Sequence, residues 1–196
     1  MTRARQILKE LNESSLSRVW NHVTKHDSGT ISAFRYAKDC GDGEVFSKKE
    51  NKDRNAVLKA KLLNVGYGVT PVKGIYIENY KSNNEIEVSE NSFIVVDLKD
   101  TGNLKEALIK FGNEFEQDSI TYSKANGDYF LIGTNDCPKS YPGFKKEVKL
   151  GGPMFGKKGI FYSKVNGRPF VFESINSNVI SLVDLSISEI RSIKQL

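Results

Sequence analysis

The chain predicts an α+β fold: a ferredoxin-like split βαβ core with an antiparallel-rich sheet, N-terminal helices and a C-terminal β-hairpin extension. Three observations predict it. Apolar periodicity along the 196 residues runs β, α, β, β, α, β after two N-terminal helical stretches. The two helices inside that order carry end signals of their own. Two Asn-Gly pairs then sit between β-formers, the strongest short hairpin signal. The same order divides the chain into a helical segment 1–28, an α+β core 29–135, and a basic loop with β extension 136–196 packed on that core.

Arg3 to Leu11 reads as a short helix. Ser14 or Ser15 caps a second, in which Leu16, Val19, Trp20 and Val23 repeat at i, i+3, i+4 and i+7. Thr30 to Phe34 is the first strand, with Arg35 at its C-terminal end, and Tyr36 to Glu44 is a polar loop. Ser47 and Glu50 then make a capping box: the Ser hydroxyl accepts from the N3 amide, and the Glu carboxylate reaches back to the Ser amide. The helix runs through Ala56, Val57, Leu58, Ala60, Leu62 and Leu63 and stops at Gly66. Gly68 to Asn79 is extended, with Pro71 marking an edge or a bulge. Ser92 to Leu98 is the most apolar strand and belongs at the centre of the sheet. Asp100 or Asn103 starts a helix whose apolar face is Leu104, Leu108, Phe111 and Phe115. Ile120 to Ile132 and Ile160 to Phe172 are hairpins that repeat Tyr-Ser-Lys before Asn-Gly. Between them, Cys137 to Pro153, rich in Pro, Gly, Lys and aromatics, reads as an Ω-loop packed on its own aromatics, the alternative being a loop that stacks bases and neutralises phosphates. Val179 to Leu196 closes the chain as a strand and a helix or tail.

Several chemistries fail on spacing. Gly151, Gly156 and Lys157 fit a Walker phosphate loop, but Lys158 stands where Ser or Thr is required. His22 and His26 lie one helical turn apart, yet they are the only histidines and no third ligand accompanies them. No metal or other cofactor is expected. Cys40 and Cys137 are far apart, each beside Gly or Pro, and form neither a disulfide framework nor a metal cluster, as suits a reducing cytosol. No apolar run approaches the length of a membrane span, so a cytoplasmic protein is expected, in the host cytoplasm if a phage encodes it.

Charge is unevenly spread. Lys139 to Arg168 holds eight Lys or Arg and one acid; Gly74 to Asp118 holds ten acids and four lysines. The basic candidates for meeting phosphates are Lys145, Lys146, Lys149, Lys157, Lys158 and Arg168. The acidic middle argues against a protein that simply coats nucleic acid. The candidate ligand site is Arg35, Asn51, Arg54, Asn55, Glu78, Asn79 and Tyr80. Arginines would clamp a phosphate, asparagines would orient a base or ribose, and Glu78 would act as general base. The competing reading is a buried polar network in which Arg54 pairs with Glu78 or Glu50 and the asparagines satisfy loop backbone.

Thr30-Ile-Ser-Ala-Phe, Ser47-x2-Glu50-Asn51-x2-Arg54-Asn55, Gly66-Tyr-Gly, Gly74-x-Tyr-x-Glu78-Asn79 and Phe111-Gly before Asp118-Ser-Ile resemble a small uncharacterised domain family of bacteria and tailed phages. The Leu-Ser-Arg-Val-Trp helix and Gly-Arg-Pro-Phe-Val-Phe-Glu segment resemble its phage form. In size and type the chain also resembles accessory proteins with which T4-like phages blunt host toxin–antitoxin systems, such as the one opposing DarT. The resemblance implies a fold and a phage source, and carries over no catalytic role. With no nucleophile–base set in sight, it implies a binding protein of counter-defence whose partner is a host protein, a toxin among them. The alternatives are a nucleic-acid or nucleotide binder, including an enzyme on that substrate, and a packaged virion protein.

Overall fold

The computed structural model describes residues 17–38, 40, 44–78, 86–138, 140–152, 154–155, 161–165 and 168–171, with side chains over 17–38, 40, 44–74, 89–138 and 140–152. Helix α1 covers residues 17–25. It is followed by β1 (Ser28–Ile31), α2 (Lys48–Val65), β2 (Gly68–Glu78), β3 (Ile86–Val96), α3 (Leu104–Glu114), β4 (Ser119–Ser123), β5 (Tyr129–Gly133), β6 (Glu147–Gly151), β7 (Met154–Phe155), β8 (Phe161–Val165) and β9 (Arg168–Val171). Strands lie in the order β6-β5-β4-β1-β3-β2-β8-β9-β7, every pair antiparallel. The inner β4-β1-β3-β2 order is the split βαβ arrangement, so the α+β class and its core topology hold.

The apolar strand predicted to be central is β3, flanked by β1 and β2. Its alternation feeds two cores. Phe93 and Val95 face α2 and α3, among Leu58, Leu62, Leu104, Leu108, Phe111 and Phe115. Ile94 and Val96 face the opposite side, where Val19 and Val23 of α1 pack with Val72 and Tyr129. Each fully buried Leu, Ile or Val contributes about 1.5–3 kcal/mol. Gly29 has no room for a side chain. An added Cβ would lie against the Thr121 carbonyl oxygen and 2.6 Å from Leu108 Cδ1, so its absence lets α3 sit down on the middle of the sheet. Pro71 fits because, among the described residues, β8 pairs β2 only over Lys73–Tyr76, so that no ladder there asks for the missing Pro71 N–H.

The capping box of α2 is present, with Ser47 N–H donating to Glu50 Oε2 at 2.7 Å and Glu50 N–H to Ser47 Oγ at 3.1 Å; Gly66 ends the helix at φ 99°. Four features depart from the sequence reading. Strand β1 starts earlier and ends at Ile31, so residues 32–35 leave the ladder. The buried stripe of α2 is Asn51, Asn55, Leu58 and Leu62, while Val57 and Leu63 face solvent. Within the expected Ω-loop, Glu147–Gly151 forms β6 against β5; its polar-apolar alternation is too short to stand out in a Lys- and Gly-rich stretch. Finally, Cys40 and Cys137 form a disulfide with Cα atoms 5.3 Å apart, which corrects the expectation of unpaired cysteines. A separation of 97 residues is no obstacle once the loops after β1 and β5 converge. The expected helix Arg3–Leu11 and the segment Val179–Leu196 lie outside the described residues. Among those residues, no helix is long and apolar enough to cross a membrane.

Replacing Gly29 by Ala is expected to lower unfolding free energy by about 3 kcal/mol, because backbone rather than a flexible side chain must give way. Gly152, with nothing within 4 Å of its added Cβ, is the control: Gly152→Ala is expected to stay within about 0.5 kcal/mol. Urea titration of both variants checks the contrast.

Candidate functional site

The three residues that follow the sheet exit, Ala33, Phe34 and Arg35, have left their strand partners behind. Their backbone groups still need hydrogen bonds where they are buried. Side chains supply all of them. Ala33 N–H donates to Asn55 Oδ1 at 2.8 Å, and Arg54 Nε donates to the Ala33 carbonyl at 2.9 Å. Phe34 N–H donates to Ser32 Oγ at 2.9 Å, and Gln117 Nε2 to the Phe34 carbonyl at 3.1 Å. Asn51 takes both groups of Arg35, accepting from its N–H and donating to its carbonyl, each at 2.9 Å. Asn55 Nδ2 completes the arrangement at 2.6 Å from the Asn91 carbonyl of β3.

Asn51 and Asn55 are therefore the polar continuation of the buried stripe of α2. The helix begins beneath a segment that has no ladder, so its inward positions there must carry amides rather than methyl groups. Both are buried, and every hydrogen-bonding atom of their side chains that points inward has a partner.

The two arginines meet the C-terminal end of α3. Arg54 Nη2 donates to the Phe115 carbonyl at 2.6 Å, and its guanidinium lies 4.5 Å from the Phe46 ring centroid. Arg35 donates from Nε to the Ala37 carbonyl at 2.8 Å and from Nη1 to the Glu116 carbonyl. It also pairs with Asp118 at 3.6 Å. A helix C-terminus presents unpaired carbonyls and partial negative charge, and cations there are stabilising. These carbonyls occupy the place that the sequence reading gave to a phosphate. Burial lowers the Arg54 pKa from its ordinary value, Glu116 opposes that shift, and neighbouring Arg35 adds to it.

Arg35, Asn51, Arg54 and Asn55 thus come together as predicted, but as a clasp that fastens the exit of β1 to α2 and α3. The arrangement corrects the phosphate clamp. Among the described side chains, the acidic partner of Arg54 is Glu116 at 4.0 Å, and not Glu50. Glu78 is elsewhere. It ends β2 opposite Ile86, five residues beyond Asn91 on β3, roughly 17 Å along the strand at ~3.4 Å per residue. Asn79 and Tyr80 lie outside the described residues, as do Lys157 and Lys158; Arg168 pairs through its backbone with Val165. Lys149 is paired with Asp128 at 2.6 Å, Lys145 lies 4.9 Å from the Phe144 ring centroid, and Lys146 is exposed.

Sequence reasoning missed several partners in this region. Gln117 donates to both the Phe34 and Phe115 carbonyls at 3.1 Å, and Thr134 Oγ1 donates to the Gln117 carbonyl at 2.5 Å. Neither residue stands in a motif; only the pairing of β4 with β5 brings them to the clasp. His26, one of the two histidines considered for a metal, lies 2.9 Å from Asp100 Oδ1. Among the described residues, no group of three His, Cys, Asp or Glu is placed to hold a metal.

Comparison with known proteins adds one family. A family model described as the S-Adenosylmethionine lyase family matches residues 30–171, well over half of the chain. The matched span contains the whole clasp, β2 with Glu78, and the hairpin β8–β9. No curated protein matches the chain. The family overturns the expectation of an accessory protein that blunts a host toxin by binding. That expectation rested on the resemblance to a phage domain family, the divided charge and the lack of a nucleophile–base set, none of which excludes an enzyme.

If the clasp is structural, Asn55→Ala leaves the Ala33 N–H without its partner and the Asn91 carbonyl with Ser32 Oγ as its remaining side-chain donor. The variant is expected to lose about 1–3 kcal/mol of stability. Asn55→Asp keeps the acceptor and loses the donor, and is expected to fall between Ala and wild type. Denaturant unfolding of the series distinguishes this from a ligand-binding role, which predicts little or no loss.

Proposed function

From the chain's membership of the S-adenosylmethionine lyase family, we propose that it cleaves S-adenosylmethionine without water. The observation that carries this reading is the family match across residues 30–171. The chemistry of the substrate explains why the reading needs so little from the protein. Sulfur in this molecule is a sulfonium, so a carbon–sulfur bond can break with its electron pair leaving on sulfur as a neutral thioether. A lyase admits no water to that carbon. Either the substrate's own carboxylate closes on it, forming a carbon–oxygen bond as carbon–sulfur breaks, or a base removes a proton from the neighbouring carbon and an alkene forms. The first route moves no proton and uses no protein nucleophile. It asks for a folded substrate pose and negative charge near the sulfonium. The second asks in addition for a general base.

Of the candidate residues, the clasp set is engaged in holding backbone. That leaves the far end of the β2–β3 arm. We assign the negative charge to Glu78, the last residue of β2, and the aromatic contact with adenine to Tyr80, two positions later in the sequence. The arm supports this assignment by its position. β2 and β3 run on past the level at which β1 ends opposite Phe93.

Purified protein incubated with S-adenosylmethionine is expected to release a thioether nucleoside, followed by mass spectrometry. In water labelled with oxygen-18, no label is expected on the carbon that sulfur left. Glu78→Gln is expected to reduce kcat/KM by about 10²–10⁴-fold with the fold intact by circular dichroism. Failure to consume the substrate would sink the reading. A wild-type rate for Glu78→Gln would remove only the assignment of Glu78.

A further inference from the structure

We propose that the Cys40–Cys137 disulfide is a thiol–disulfide exchange site for low-molecular-weight thiols, in which Cys40 is the sulfur attacked and Cys137 leaves as the thiolate. The two sulfurs differ in the ways that matter. Cys40 is exposed, whereas Cys137 is half-buried. Exposed disulfides are the ones that exchange. Cys137 Sγ lies 3.7 Å from Nη2 of Arg35. A cation beside a sulfur lowers the pKa of its thiol and makes it the better leaving group.

Arg35 is already in place for this role. Its Nε and Nη1 are held by the Ala37 and Glu116 carbonyls, and Nη1 also faces Asp118 at 3.6 Å. Nη2 is left pointing at sulfur. The guanidinium therefore needs no rearrangement as charge develops on Cys137. Cys137 is likewise positioned, its N–H donating to Asn135 Oδ1 at 2.7 Å and its carbonyl accepting from Ser140 N–H at 3.0 Å. A pocket of about 360 Å³ is lined by both cysteines, Arg35, Asn135 and Phe144, with Glu116 and Asp136 on its wall. It has room for a small thiol beside the bond. Glu116, Asp118 and Asp136 oppose thiolate formation; Glu116 and Asp118 are more than half exposed, and solvent screens them. Arg35 is the charge in contact with the sulfur.

The exchange balances as follows. An external thiolate attacks Cys40 Sγ, the bond to Cys137 breaks, and its electron pair stays on Cys137 Sγ beside Arg35. A second external thiolate attacks the external sulfur of the mixed disulfide and releases Cys40. The protein is reduced to two thiols and the external thiol is oxidised to its disulfide. This site is separate from the proposed lyase chemistry and is tested without it.

The oxidised full-length chain, treated with reduced glutathione without denaturant and quenched in acid, is expected to carry the glutathione adduct on Cys40 and a free thiol at Cys137. Peptide mass spectrometry reads both. In the Cys40→Ser variant, the pH profile of Cys137 alkylation by iodoacetamide is expected to have its midpoint at least one unit below the ordinary thiol value of about 8.5. Adding Arg35→Met is expected to move it back toward that value, and Arg35→Lys to keep part of the shift. An adduct on Cys137, no reduction short of unfolding, or a midpoint at or above the ordinary value would each overturn the proposal. The adduct measurement uses the wild-type chain, so it stands even where a variant folds poorly.

Discussion

The structure depends on the backbone of three residues finding partners after it leaves the sheet. Strand β1 is short, and the chain turns off at Ser32 between two packed helices. Six peptide groups would otherwise be left unpaired in a part-buried place, each a penalty of about 1–3 kcal/mol. Asn51, Arg54 and Asn55 meet four of them from α2, and Ser32 and Gln117 meet the other two. Because Asn55 also bonds β3 and Arg54 also bonds the end of α3, the same side chains set the position of α2 against the sheet and of α3 against α2. A distinctive motif that looks like a ligand site is thus the means by which two helices and a sheet are fastened at one end.

That fastening has a consequence for where chemistry can occur. Arg54 Nη2 and Arg35 Nη1 donate to the carbonyls of Phe115 and Glu116 at the end of α3, which supply the negative partner a phosphate would have supplied. The layer of helices is closed at this end. The sheet itself continues, through the arm formed by β2 and β3 and then through β8, β9 and β7. A substrate that brings its own leaving group asks for shape and local charge more than for a set of coupled acids and bases.

Buried polar groups elsewhere in the sheet follow the same rule of complete pairing. Tyr129 is fully buried, and its hydroxyl meets Ser28 Oγ. Burial raises its pKa well above the ordinary tyrosine range. Tyr122 is raised as well, first by burial and then by its bond to Asp27 Oδ2 at 2.6 Å, so it remains a donor to that carboxylate. The loop before α3 is held from within by Asp97, whose carboxylate accepts from Thr101 Oγ1 at 2.7 Å and from Gly102 N–H at 3.1 Å. Asp97 reads in sequence as one more residue of an apolar strand's end. Its role follows from burial rather than from spacing.

Local signals were sufficient for much of the chain. Ser47 with Glu50, Gly66, the apolar run at the centre of β3 and the face of α3 each state their structure within a few residues, and their order alone specifies the split βαβ core. The sequence also determined that Asn51, Arg54 and Asn55 are not explained by helix capping. It could not say what they bind, because the competing partners, a phosphate or a peptide group, offer similar oxygens to the same donors. Only the tertiary structure decided between them, by ending β1 at Ile31 and bringing the carbonyl end of α3 to the arginines. The Cys40–Cys137 bond and the strand β6 were decided in the same way. Each depends on contacts between segments remote in the chain, and no local periodicity records which remote segment will arrive.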